Sequence, residues 1–305
     1  MSSDPRGYQH PAYAASLAEF GTPRHLPRSK GWLLERAVPG TSYVDAMGCY
    51  PLFSCTDWSG VKADLDALGA EAISVAVVTD PFGDYDEQAL RECFVHNVLP
   101  FKAHFVADLQ RPPATFVTKH HRYYAQQALK HVELERCDEP SGFLDEWLSL
   151  YDHLIARHHL RGIKAFSRQA FGAQLSVPGI VMLRATHAGE AIGAHLWYVQ
   201  DGVVHSHLAA ANALGYDFQV SYALYWFALE SFATDAAWIN FGAGAGVNSD
   251  GTDGLTRFKR GWATETRLTY FCGRIFDHAK YADALAARGL HDDDYFPAYR
   301  KGEFA

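Results

Sequence analysis

Trp238-Ile239-Asn240-Phe241-Gly242-Ala243-Gly244-Ala245-Gly246 and, a little further on, Leu255-Thr256-Arg257-Phe258-Lys259-Arg260-Gly261-Trp262 are the most informative stretches of the chain. Trp238 to Phe241 reads as a short buried strand. It runs into a loop, Gly242 to Gly254, whose glycines let a ligand approach the main chain closely. Gly242-x-Gly244-x-Gly246 lacks dinucleotide-binding spacing, and no Walker lysine follows. A plain flexible loop and a backbone cradle therefore both remain open. Residues 254 to 262 read as a short helix. At about 3.6 residues per turn, Leu255, Phe258 and Trp262 share an apolar face. Lys259 falls inside that stripe, while Arg257 and Arg260 point away. Either its amine extends to water, or it is a positioned cation for a carboxylate, a phosphate or a developing oxyanion.

Working outward, 180 to 186, 191 to 199 and 203 to 210 read as three strands with short connectors, His187-Ala188-Gly189-Glu190 and Gln200-Asp201-Gly202. This is an antiparallel meander. Phe166 to Leu175 precedes it as a helix, and Phe218 to Phe232 follows as a strongly apolar helix. A last strand spans 265 to 275, and the tail after Asp277 reads as helix, then loop. The first half alternates more loosely. Strands are expected at Trp32–Val38, Ala72–Val78 and Phe101–Leu109. Helices are expected at Trp58–Leu68 (capped by Asp57), Asp84–Asn97, 115–130 and 141–159. Residues 1 to 30, rich in Pro, Gly, Ser and His, read as a loose lead-in. The fold class is mixed α/β with two similar sheets.

The chain has 305 residues, twice a usual single domain of ~150, so two domains are expected. Hydrophobic residues are 48% and charged residues 20%, which excludes a disordered chain or coiled coil. No apolar run reaches the ~20 residues of a membrane span, and Met1 to Gly7 lacks the pattern of a secretory signal. A cytoplasmic protein is expected. The formal charge of −8 argues against a broad DNA-wrapping surface. The five cysteines, Cys49, Cys55, Cys93, Cys137 and Cys272, are scattered, as reduced thiols are.

Val203-Val204-His205-Ser206-His207 places two histidines on one strand face. Either is a candidate base near neutral pH, or an ordinary hydrogen-bonded histidine. A two-histidine metal site lacks a third ligand, so no metal is expected. His195, on the neighbouring strand, is a further substrate-binding candidate. Tyr222 is either a proton donor to a leaving group or a core tyrosine. Asn212 and Gly215, before the apolar helix, can supply main-chain donors at a helix N-terminus. Lys119-His120-His121-Arg122 with Lys130 makes a basic face, either solvated or shaped for a phosphorylated or RNA-linked partner.

The segment Leu255-x-x-Phe258-Lys259-x-Gly261-Trp262 resembles the C-terminal signature of the Fem-type peptidyltransferases, the FemAB-like branch of the GNAT acyltransferases. Phe101-Lys102-x-His104-Phe105-Val106-x-Asp108-Leu109 resembles that family's strand before its interdomain helices. Lys119 to Arg122, Val132-Glu133 and Gly189-Glu190-Ala191-Ile192-Gly193-Ala194 continue the likeness, which spans about 70 to 275. The resemblance implies tandem GNAT-like units, each a mixed, mostly antiparallel sheet flanked by helices. The divisions expected are a lead-in (1–30), an N-terminal unit with interdomain helices (31–160), a catalytic C-terminal unit (161–276) and a tail (277–305). It implies acyl or aminoacyl transfer to an amine, with Lys259 in the cleft. Phe258, Gly242, Gly244, Asn212, Gly215, His195 and Arg122 are the further candidates for donor and substrate binding. The usual coenzyme A pyrophosphate loop lacks its cationic member here. Acyl-coenzyme A is the expected donor substrate, with no tightly bound cofactor and a small-molecule amine as acceptor. Aminoacyl-tRNA, an acyl carrier protein, or a catalytically silent binding module are the rivals.

Overall fold

Two dipeptides turn the centre of the chain back on itself. Ala188-Gly189 (φ 51° and 84°) and Asp201-Gly202 (φ 47° and 73°) are two-residue loops with both residues at positive φ, the hairpin turns whose twist matches their strands. Around them, the computed structural model describes residues 4–158, 166–244, 253–291 and 294–303. The first part runs α1 (Pro11–Ser16), β1 (Thr22–Leu26), β2 (Gly31–Ala37), β3 (Val44–Gly48), α2 (Val61–Leu68), β4 (Ser74–Val78), α3 (Glu87–Cys93) and β5 (Asn97–Asp108). Then come α4 (Lys119–Ala128), β6 (Glu133–Cys137), α5 (Leu144–His158), α6 (Arg168–Gln174), β7 (Ile180–His187), β8 (Glu190–Gln200) and β9 (Val203–Ala211). The chain continues through α7 (Ala213–Asp217), α8 (Val220–Ser231), β10 (Trp238–Asn240), α9 (Gly254–Arg260), β11 (Glu265–Ile275) and α10 (His278–Ala287).

The chain forms two compact units. One comprises Met1–Gly7, Lys102–Leu160 and Ser167–Leu268; the other Tyr8–Phe101, Arg161–Phe166 and Thr269–Ala305. Each repeats one plan, an antiparallel meander followed by a crossover helix and a parallel strand. In the second unit β1, β2 and β3 are antiparallel, and α2 leads to β4, parallel to β3. In the first, β6, β7, β8 and β9 are antiparallel, and α8 leads to β10, parallel to β9. The units therefore do not divide at 160/161. β4 takes β11 as its antiparallel partner from late in the chain, and β10 takes residues 106–108 of β5 from early in it. Strand pairing, which outranks sequence proximity, moves the boundary.

α8 is apolar over most of its surface because it is covered on both sides. Val220, Leu224, Ala228 and Leu229 join the sheet core with Trp197 and Ile239, while α4 packs across it. Burying each such leucine stabilises by roughly 1.5–3 kcal/mol. Close approach of this layer to β8 demands small residues. A Cβ on Gly193 would lie 2.7 Å from Val220, and one on Gly215 would lie 2.1 Å from the Ile192 carbonyl. Among the described residues no helix is long and apolar enough to cross a membrane.

The expected loose lead-in is instead structured. It contains α1 and β1, and Tyr8, Tyr13, Leu17 and Leu26 are each at most 2% exposed. Isolated aromatic anchors between prolines and glycines supply the burial that periodicity did not show. β3 was not expected either, the helix at 84–97 is shorter, and Asn97 already starts β5. The tail is pinned by charge. The Arg300 guanidinium grips Asp45 through Nε and Nη2 at 2.6 and 2.8 Å, and Tyr299 donates to the same carboxylate at 2.8 Å. Removing one member of a buried ion pair strips the other of its main partner; for Asp45, among the described residues, only Arg36 Nε, at 3.6 Å, would remain as a cation. Arg300→Ala is expected to cost about 3 kcal/mol, measured by denaturant unfolding of the full chain, whereas the exposed Lys62–Asp66 pair is expected to contribute less than about 1 kcal/mol.

Candidate functional site

The site begins where a ladder stops. β10 pairs with β9 through only Trp238↔Val203, Ile239↔Val204 and Asn240↔His205. After Asn240 the backbone turns at Gly242, whose φ of 76° suits glycine. β9 runs on to Ala211 with no strand partner on that side among the described residues. The two parallel strands thus part, and their diverging ends open a wedge. The other edge of β10 stays tied to β5, since Phe241 N–H donates to the Phe105 carbonyl and Phe105 N–H to that of Gly242.

Lys259 projects to this wedge from α9. Its Nζ donates to the Ala243 carbonyl at 2.7 Å, and a Cβ on Gly242 would lie 3.2 Å from it. Enclosure strips water from the ammonium and pushes its pKa down to about 7; the Lys102 charge lowers it further, and Asp253 opposes. Asp253 also caps α9, accepting from Thr256 N–H at 2.9 Å. The far end of α9 is held by α4. His121 lies 2.7 Å from Thr118 Oγ1 through Nδ1 and 2.9 Å from the Phe258 carbonyl through Nε2. A Cβ on Gly261 would fall 2.1 Å from the His121 ring. The glycine-aromatic pair after Lys259 is thereby explained, since the imidazole packs flush against Gly261 and edge-on to Trp262.

A second polar group lies on one sheet face beside the wedge. Asn240 accepts from Gly242 N–H through Oδ1 at 2.9 Å, and the same oxygen is 3.1 Å from His104 Nδ1. Asn240 Nδ2 is 3.3 Å from His205 Nδ1. All three side chains are at most 9% exposed. His104 is pushed down to about 3, chiefly by burial, then by the Lys259 charge. Neither His104 nor Asn240 was among the candidates. The available signal was the alternation in β5, where Lys102 and His104 interrupt the parity opposite the apolar Phe101, Ala103, Phe105 and Ala107.

The remaining candidates scatter. His205 joins the Asn240 group, but His207, pushed down to about 3 by burial, turns to Gln174 Oε1 at 3.1 Å. A register shift in the β8–β9 pairing falls at His207, so the two histidines have different partners. His195 sits at 2.8 Å from Ser206 Oγ with its other nitrogen, Nδ1, buried and unpartnered. It lines a cavity of ≈ 50 Å³ with Ala210, Ser221, Leu224 and Tyr225, and both burial and the Lys259 charge lower its pKa. Tyr222 and Phe258 belong to an aromatic cluster with His121, Tyr124 and Trp262. Asn212 Oδ1 caps α7 by accepting from Gly215 N–H at 3.0 Å, which occupies that donor. Arg122 bonds the Ala114 carbonyl. Gly244 lies half-buried beside Ala243. Gly246, Asn248, Ser249 and Asp250 lie outside the described residues. Among the described residues no group of three or more histidine, cysteine or acidic side chains is placed to hold a metal.

Residues 117–260 match the family model of the acetyltransferase (GNAT) domain. The fold is similar to that of FemX, with a TM-score of 0.67 at 14% identity over 92% of this chain and 95% of that one. It is similar to L-PGS from Bacillus licheniformis, with a TM-score of 0.60 at 13% identity over 95% and 100%. The C-terminal domain of a putative lysylphosphatidylglycerol synthetase from Agrobacterium fabrum gives 0.59 at 15% identity over 91% of both chains. No curated protein matches the sequence.

The buried amine sets a stability signature. Lys259 titrates near 10.5 when unfolded and near 7 when folded, so between these values the unfolded chain binds more protons. Stability therefore falls as pH drops through that window and levels off below about 7. Lys259→Met removes this cost. Its Tm is expected to exceed that of the wild type by on the order of 5 °C at pH 7, with the difference vanishing as pH approaches 10.5. A destabilised methionine variant at pH 7 refutes the burial argument.

Proposed function

We propose that this chain, a GNAT-type protein with the FemAB-like fold, transfers an acyl group from a thioester, acyl-coenzyme A above all, to the amine of a small or cell-envelope metabolite. The observation that carries this reading is Lys259, an enclosed amine held on the Ala243 carbonyl where two parallel strands part. In its neutral form the amine accepts the proton released when a substrate nitrogen attacks a carbonyl. Once charged, it offsets the negative charge of the departing thiolate. Attack is direct. All five cysteine thiols are buried and held above their ordinary pKa by desolvation, which keeps them protonated and poor as nucleophiles.

Donor binding is read at the start of α8. Gln219, at φ 55°, gives this helix no side-chain cap. Tyr222 N–H donates to the Gln219 carbonyl at 3.0 Å; the N–H groups that open a helix have no carbonyl partner within it and suit an anion such as a diphosphate. Ser221 in that first turn also lines the cavity beside His195. The aminoacyl alternative has its own support, because the chain matches nearly the full length of a domain named for lysylphosphatidylglycerol synthesis. An aminoacyl-tRNA donor predicts binding that steepens as salt falls; coenzyme A predicts a weaker salt dependence and a raised Tm on addition.

The deciding experiment follows acetyl-coenzyme A consumption against a panel of primary amines. Turnover is expected to rise with pH through about 7, where Lys259 becomes neutral. Lys259→Arg keeps a cation that cannot deprotonate, so it is expected to lose about 10²–10⁴-fold in kcat, as Lys259→Met does. Retention of turnover by the arginine variant shows that only the charge matters. Undiminished turnover in both variants returns the chain to the silent binding module.

A further inference from the structure

The hydrogen-bond directions around Asn240 are determined, because one of its partners has no choice. Gly242 N–H is a main-chain donor, so the atom it meets at 2.9 Å is the carboxamide oxygen. The same oxygen, 3.1 Å from His104 Nδ1, can only accept there, so His104 carries its proton on Nδ1. The amide nitrogen can only donate, so His205 Nδ1, at 3.3 Å, holds a lone pair. One side chain thus locks two imidazoles in opposite tautomers. His205 has its Nδ1 lone pair engaged and its proton on Nε2, which leaves no nitrogen free to take a proton. His104 is left with an unprotonated Nε2, and Nδ1–Asn240 is its one hydrogen bond among the described residues. The register puts these groups on one face, since Asn240 pairs with His205 on one side and with Val106, two residues from His104, on the other.

We propose that His104 is a catalytic residue that accepts a hydrogen bond from the attacking amine through Nε2, and that Asn240 is the positioning residue that keeps that nitrogen bare. The inference rests on the acyl-transfer reading and assigns the acceptor's contact within it. The neutral amine nitrogen uses its lone pair to form the N–C bond at the thioester carbonyl. The C–S bond breaks, and the sulfur leaves with its electron pair. The surplus proton on nitrogen passes to neutral Lys259. His104 stays neutral throughout and aims the nitrogen lone pair by holding one of its N–H groups. Burial, Lys259 in its charged form and the Lys102 cation oppose protonation of His104, which keeps it an acceptor. With Lys259 neutral and ready to take the proton, the enclosure and the Lys102 charge still disfavour an ammonium form of the substrate, so the site selects amines that are neutral on arrival.

The test uses the full chain and two readouts. The first is the nitrogen spectrum of ¹⁵N-histidine-labelled protein. His104 is expected to show a protonated Nδ1 and a bare Nε2, with His205 the reverse. Asn240→Asp, which keeps an acceptor toward Gly242 and His104 but has no donor, is expected to leave His104 unchanged and release His205. A protonated Nε2 on His104 in the wild type overturns the proposal. The second readout is steady-state kinetics with acetyl-coenzyme A and the best amine of the panel. His104→Asn retains a donor toward Asn240 and deletes the Nε2 lone pair. It is expected to raise KM for the amine at least tenfold with little change in KM for the thioester. Transfer with an unchanged amine KM in that variant removes His104 from the contact while leaving acyl transfer intact. No transfer by the wild type with any amine sinks the acyl-transfer reading and the His104 contact with it, whatever the tautomers are.

Discussion

The divergence of β9 and β10 after three residue pairs is the constraint from which the site follows. A longer ladder would carry β10 on beside β9 to Ala211. The turn at Gly242 ends it, and Asn240 holds the turn by accepting the Gly242 N–H. The residue that terminates the pairing is therefore also the residue that orients two histidines. Below the wedge, α9 must deliver an amine into a nearly dry space. That is unfavourable for a cation, and the protein meets the cost with rigid support. Asp253 caps one end of α9, and His121 holds the other against Gly261. A lysine free to swing out would recover its hydration and its ordinary pKa.

The wedge also explains why only one of the two repeats is equipped. In the second unit the crossover again gives a parallel pair, Ala46↔Val75 and Met47↔Ala76. There the chain fills its own gap. Phe53 bridges Thr79 in parallel, its N–H donates to the Val78 carbonyl, and its own carbonyl accepts from Asp80 N–H. The space that stays open beside β9 is occupied beside β4 by main chain. Polar side chains at this place bond one another, as Ser54 does to Asp80 at 2.8 Å, and so serve packing. A repeated architecture thus leaves its parallel pair open in one unit, at the candidate site, and filled by main chain in the other.

The fold was legible where local chemistry is decisive. Asp201-Gly202 and Ala188-Gly189 announce hairpins, and the cation inside the Leu255–Trp262 apolar stripe announces the burial of Lys259. The lead-in was not legible, because Tyr8, Tyr13 and Leu17 carry no period that separates them from a loop. At the site, reading His205 and His207 as equivalent assumed a regular strand, and a register shift at His207 separates their partners. Asn240 lies in the opening stretch itself. Its role depends on β10 lying between β5 and β9, an arrangement of strands far apart in sequence that no local pattern encodes.

The basic helix shows the same limit from the other side. Lys119-His120-His121-Arg122 invites an anionic partner when read as composition. In the fold His121 is turned inward to the Phe258 carbonyl, and Arg122 is turned back to Ala114. Half of the cluster is thus committed to holding α9 and the start of α4. Lys119, His120 and Lys130 are what remains exposed of it. The chain's overall negative charge works in the same direction. A thioester asks less of this surface, which agrees with the donor proposed above.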